Sequence, residues 1–120
     1  MKYEIKIKES DLNELKKKIR DLKAIDERGL SGALKKAAKT AVNNAKRNAP
    51  VDTGHLVGNI KYDPFIQEKR VEIRSDADYS GYVEFGTRSQ SAQPYFVPAI
   101  RLAVRNLKKD LDRLIKKAIS

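Results

Sequence analysis

Asp52, Thr53 and His55 fall within one short stretch, and together they name the parts of a nucleophilic site: a hydroxyl, a base and a carboxylate to orient it. Turn chemistry explains them better. In Ala49-Pro50-Val51-Asp52-Thr53-Gly54-His55-Leu56, Pro50 fixes one backbone angle, Asp52 and Thr53 can bond their own backbone, and Gly54 permits a positive φ. The stretch reads as a rigid turn from a basic helix into a strand, with an exposed histidine. No serine or cysteine has an evident base and orienting partner. Glu84 lies between Val83 and Phe85, so strand alternation puts it on the opposite face, where a lone carboxylate serves as a salt-bridge or turn partner. No second carboxylate stands at a spacing that demands acid–base pairing. Gly54, Gly81 and Gly86 make no phosphate-cradling pattern. The chain has no cysteine, which excludes disulfides, thiolate catalysis and cysteine-ligated zinc or iron–sulfur centres. With one histidine it cannot build a multi-histidine metal site within one chain. The expectation is a protein that is not an enzyme, with no catalytic, cofactor-binding or metal residues.

The elements around these stretches follow from periodicity. Tyr3, Ile5 and Ile7 alternate with charged residues, as in a half-exposed strand. Leu12, Leu15, Ile19 and Leu22 recur at helical spacing, capped by Ser10 or Asp11, and this first helix is expected to end near Gly29. Leu30, Leu34, Ala37, Ala38, Ala41, Val42 and Ala45 form the stripe of a second helix that Pro50 ends, and its alanines allow a close neighbour. Glycine and proline punctuate residues 50–98. Short β-like runs are expected at 56–62, at 65–66 continuing through 71–74, and at 82–85. Pro98 suits the start of a last helix, whose seam is Ile100, Val104, Leu107, Leu111, Leu114 and Ala118.

The fold class expected is α+β. A small antiparallel sheet packs against about three helices, the last of them long and basic, in one domain over residues 1–120. Residues 1–48 carry the strand and two basic helices, 49–98 a turn-rich β region with an extended loop at 86–94, and 99–120 the final helix. Tyr62, Phe65, Tyr82, Phe85, Tyr95 and Phe96 are expected to supply an aromatic core.

The 120 residues carry a net charge of +10, with 40% hydrophobic and 35% charged residues, which suits a folded domain with a modest core. No apolar run is long enough to span a membrane, and the start lacks the apolar stretch of a signal peptide. The charge is segregated. Residues 1–50 hold fourteen Lys/Arg against seven Asp/Glu, residues 51–98 five against seven, and residues 99–120 seven against two. Both ends are basic and the middle is slightly acidic, so a partner of the ends would be anionic.

Three blocks stand out in order: 49–56; Tyr79-Ser80-Gly81-Tyr82-Val83-Glu84-Phe85-Gly86-Thr87; and Ala92-Gln93-Pro94-Tyr95-Phe96-Val97-Pro98-Ala99. Together they resemble the HK97 gp10-like family of tailed-bacteriophage neck, head–tail joining and tail-component proteins. The residues that carry the resemblance are Pro50, Asp52, Thr53, Gly54 and Leu56; Tyr79, Tyr82, Glu84, Phe85, Gly86 and Thr87; and Gln93, Pro94, Phe96 and Pro98. Ser80 departs from the alanine usual there, and Gly58 and Val97 depart as well.

The resemblance implies a non-enzymatic virion or prophage protein of the head–tail junction, made in the host cytoplasm. It would act in neck assembly or tail completion through ring-forming or ring-associated contacts. Its partners would be a connector or stopper, a tail terminator and further copies of itself. The polar tip Arg88-Ser89-Gln90-Ser91 reads as an arm reaching a neighbour, and the acidic middle of one copy is expected to face a basic helix of the next. The alternative is a small non-specific nucleic-acid-binding protein, which rests on charge alone. Base-specific readout is not expected, because no helix-turn-helix, zinc finger or stacking platform lies in the basic regions.

Overall fold

The computed structural model describes residues 1–7, 27–50 and 54–119. The helix expected through Leu12, Leu15, Ile19 and Leu22 lies outside the described residues, as do Asp52 and Thr53. In chain order the described elements are β1 (Lys2–Lys6), α1 (Glu27–Asn48), α2 (His55–Gly58), β2 (Ile60–Phe65), a 3-10 turn (Ile66–Glu68), β3 (Arg70–Ser75), α3 (Ser80–Phe85) and α4 (Val97–Ile119).

The sheet is antiparallel throughout, in the order β1-β3-β2, so the N-terminal strand lies at an edge. Strand alternation sorts its faces. Val71, Ile73 and Ser75 of β3 point inward, with Ile5 and Ile60 from the neighbouring strands. Arg70, Glu72 and Arg74 point outward into a ladder of charges. Arg70 pairs with Glu72 at 2.7 Å, and Arg74 with Asp63 at 2.8 Å and Asp76 at 3.2 Å. Glu68 and Glu72 hold the Arg70 guanidinium charged by raising its pKa above the ordinary value. These pairs lie at the surface, so each contributes little.

α1 packs across the inner face of the sheet and along α4. The expected stripe is buried in full, and Ala33 and Ala49 join it. Small side chains let the helix axes approach closely, and α4 answers with Ala99 and Ala103, both buried. On α4, Ile100 and Leu107 are buried, and Val104, Leu111 and Leu114 pack at the margin of the core. Lys36 and Asp110, 3.4 Å apart, bridge the two helices. The architecture is therefore α+β, a small antiparallel sheet against helices with a long C-terminal one.

Four expectations need correction. Gly29 does not end a helix; it lies inside α1. Residues 56–58 are not strand: Gly54, at φ +70°, starts the single turn α2, and β2 begins only at Ile60. Residues 82–85 are helical, because Ser80 and Glu84 both turn inward while Tyr82 and Phe85 turn outward, a period near four rather than two. The core is also not broadly aromatic. Tyr95 and Phe96 are buried and Tyr62 is half-buried, but Phe65 is 37% exposed and Tyr82 and Phe85 more so. The small-residue stripe of α1 fills the inner face of the sheet and packs along α4, and Phe65, Tyr82 and Phe85 lie outside that core. Phe65 instead sits on the outer face, where the Arg70 guanidinium stacks 4.0 Å from its ring centre.

Candidate functional site

The second and third sequence blocks form one continuous unit: α3, the loop after it, and the start of α4. α3 is too short to hold itself, so its ends are tied elsewhere. The Ser80 amide donates to the Ala77 carbonyl at 3.0 Å and the Gly86 amide to the Tyr82 carbonyl at 2.9 Å. Gly86 then turns the chain at φ +80° and ψ 175°, a conformation essentially reserved for glycine. A Cβ here would lie 2.8 Å from the Ala92 amide nitrogen and 3.0 Å from the Gln90 carbonyl oxygen.

The loop that follows is bonded to itself. The Thr87 hydroxyl accepts the amides of Ser89 and Gln90 at 3.2 and 3.1 Å, and the Thr87 amide donates to the Gln90 carbonyl at 2.9 Å. The Gln93 amide then donates to the Val83 carbonyl at 2.8 Å, returning the chain alongside α3. The tip expected to be an extended arm is therefore a closed turn, with Arg88, Ser89, Gln90 and Ser91 exposed on its rim.

Glu84 fastens the other side. Its carboxylate, 3% exposed, accepts the amides of Tyr95 and Phe96 on Oε1 at 3.2 and 2.7 Å and that of Val97 on Oε2 at 3.4 Å. These amides lead into α4, whose first N–H groups have no partner within the helix. A carboxylate there satisfies donors and complements the positive end of the helix dipole. Both oxygens are committed, so Glu84 is a helix cap supplied from another element rather than a base. Beneath it lies a chain of hydroxyls. Tyr95 Oη is 2.6 Å from Ser75 Oγ, which is 3.0 Å from Ser80 Oγ, which donates to the Ala77 carbonyl at 2.6 Å. Each hydroxyl has one proton, and a chain running from Tyr95 through Ser75 and Ser80 to that carbonyl uses all three.

The motif residues therefore divide. Leu56, Glu84 and Phe96 are buried, and Gly54, Gly86 and Thr87 set backbone turns. Pro98 is exposed in the first turn of α4, and Pro94 and the Gln93 side chain are exposed beside the loop. Tyr79 is half-buried, its ring 5.9 Å from that of His55, so the block at 49–56 meets the block at 79–87. Pro50 lines the same shallow pocket as His55 and Tyr79. Tyr82 and Phe85 do neither job: they are 67% and 70% exposed. Sequence reasoning missed the roles of Ser75, Ser80 and Tyr95 as a buried hydroxyl chain, and nothing in their spacing signals it. It also missed Tyr3, an outlying aromatic on the edge strand that lines a groove against α4 with Phe85.

A family model described as bacteriophage HK97-gp10, tail-component, matches residues 13–86, more than half of the chain. No curated protein and no solved structure matches the chain.

Proposed function

The chain belongs to the HK97-gp10-like family of bacteriophage tail components, and on that premise we propose that it acts at the head–tail junction, in neck assembly or tail completion. The family is structural, and the protein is a component of the virion that works through contacts with other phage structural proteins. Among the described residues, no helix is long and apolar enough to cross a membrane.

One observation carries the reading. A segment fixed by Glu84, Gly86 and Thr87 presents two large aromatics, Tyr82 and Phe85, to solvent beside the rim Arg88–Ser91 sequence Arg88-Ser89-Gln90-Ser91. Rings exposed on a rigid platform suit an interface anchor, because little side-chain or loop freedom is lost on contact. A ring requires one surface to meet a different surface on the neighbour. A second contact pairs the basic face of α1, where Lys35, Lys39, Lys46 and Arg47 are exposed, with the exposed Asp76 and Asp78 of the adjoining copy. This contact should weaken between about 0.05 and 0.5 M salt, and assembly insensitive to salt would remove it. The remaining partners proposed are the connector or stopper and the tail terminator.

The test is deletion of the gene from a phage genome that carries it, followed by negative-stain electron microscopy of the lysate. Filled heads and finished tails lying unjoined establish the junction role. Overlong or aberrant tails move the role to tail termination, and normal infectious particles contradict both. The exposed cations of α1 and α4 favour one second reading, non-specific duplex contact, whose affinity would fall steeply with salt.

A further inference from the structure

The groove between β1 and α4 has an apolar floor and a cationic rim. It holds about 700 Å³ and is floored by Tyr3, Phe85, Ile100 and Val104. Lys2, Arg101, Arg105 and Lys108 stand around it, all of them exposed. Among the described residues no carboxylate lines it, and Arg101, Arg105 and Lys108 have no ion-pair partner.

The strand that forms one wall offers hydrogen bonds as well. β1 pairs with β3 on one side, and among the described residues no strand pairs with its other edge. The Ser75 amide donates to the Met1 carbonyl at 2.8 Å and the Ile7 amide to the Lys69 carbonyl at 2.9 Å, so the odd-numbered residues of β1 face β3. By alternation Lys2, Glu4 and Lys6 turn their backbone N–H and C=O groups to the open edge. A strand laid along this edge would bond to those groups and drop every second side chain into the groove.

We propose that the groove is a strand-addition site for an extended, acidic segment with apolar residues at alternate positions, donated by another protein of the tail. The origin of the donor rests on the reading above; the site itself does not. Its apolar side chains fill the floor over Tyr3 and Val104, and its carboxylates meet Arg101, Arg105 and Lys108. Charge decides against the edge strand of a second copy as donor, since β1 carries two lysines against one glutamate and would meet the cationic rim with like charge. The apolar floor decides against nucleic acid, whose phosphates would leave it unfilled.

The test is fluorescence anisotropy on the full chain with a short labelled peptide alternating Asp or Glu with Val or Ile, compared with the same peptide carrying Lys for each acid. The acidic peptide should bind at least about tenfold more tightly, and less tightly as salt rises. Amide shifts should localise to Lys2, Glu4, Lys6 and the first half of α4. An Arg101→Glu/Arg105→Glu variant should reverse the preference with the thermal midpoint unchanged. No binding, equal binding of the two peptides, shifts elsewhere, or displacement of the peptide by a short DNA duplex would overturn the site. Selective acidic binding in a protein whose deletion leaves normal particles would overturn the tail origin of the donor alone.

Discussion

The two faces of α3 do opposite work within six residues. On the inner face Ser80 and Glu84 are among the few buried polar side chains among the described residues, and each is fully engaged. On the outer face Tyr82 and Phe85 are large and apolar, and both stand in water. Hydropathy alone would have exchanged them. The inversion shows that this segment is built outward: polar chemistry within fastens a short helix, a turn and the start of α4 into one piece, so that apolar area can be displayed without collapsing inward. Exposed aromatic area held on a fastened segment suits the contact surface proposed above.

The contrast predicts a graded set of effects. Glu84→Ala strips three amides of their acceptor and leaves them in a site with little water. It should cost about 3 kcal/mol and lower Tm by roughly 10 °C, read by calorimetry. Glu84→Gln should cost less, because its one carbonyl oxygen can still accept from Tyr95 and Phe96, while the charge and the longer contact to Val97 are lost. Gly86→Ala forces a glycine-only backbone conformation and a contact at 2.8 Å with the Ala92 amide. It should cost about 2 kcal/mol in chemical denaturation and loosen the loop at 86–92, seen as faster amide exchange at Gln90 and Gln93. Tyr95→Phe removes one end of the hydroxyl chain, and because Ser75 keeps Ser80 as a partner the cost should be about 1 kcal/mol. A value near zero would show that the chain is decoration rather than a fastening. The outer face should behave otherwise: Tyr82→Ser and Phe85→Ser should each move stability by less than about 0.5 kcal/mol.

Much of the fold was legible from the chain. The alternation of Tyr3, Ile5 and Ile7, the alanine stripe from Leu30 to Ala45 and the seam from Ile100 to Leu114 are regular patterns repeated often enough to override local noise. The class α+β follows from them. The motif segments stand out in the sequence, but their division between buried, turn-forming and exposed residues does not. Residues 82–85 look like strand because aromatic and β-branched residues favour strands, and only the inward turn of Ser80 and Glu84, four apart, reveals a helix. The role of Glu84 depends on Tyr95, Phe96 and Val97, more than ten positions away, and no local pattern encodes that meeting. The aromatic core is smaller than the sequence suggests for a related reason. Residue type alone favours rings as core, whereas the alanines of α1 and α4 commit the interior to close helix packing.

The proposed function turns on whether the outer face of α3 is an assembly surface. The direct measurement is complementation of a phage that lacks the gene with the Tyr82→Ser/Phe85→Ser variant, scored by infectious titre beside the thermal midpoint of the purified protein. A near-native midpoint with a titre reduced by about two orders of magnitude is the predicted result, as expected when interface anchors are lost and the fold is spared. Full titre from a folded variant would contradict it, and would leave Tyr82 and Phe85 as exposed rings with no part in assembly.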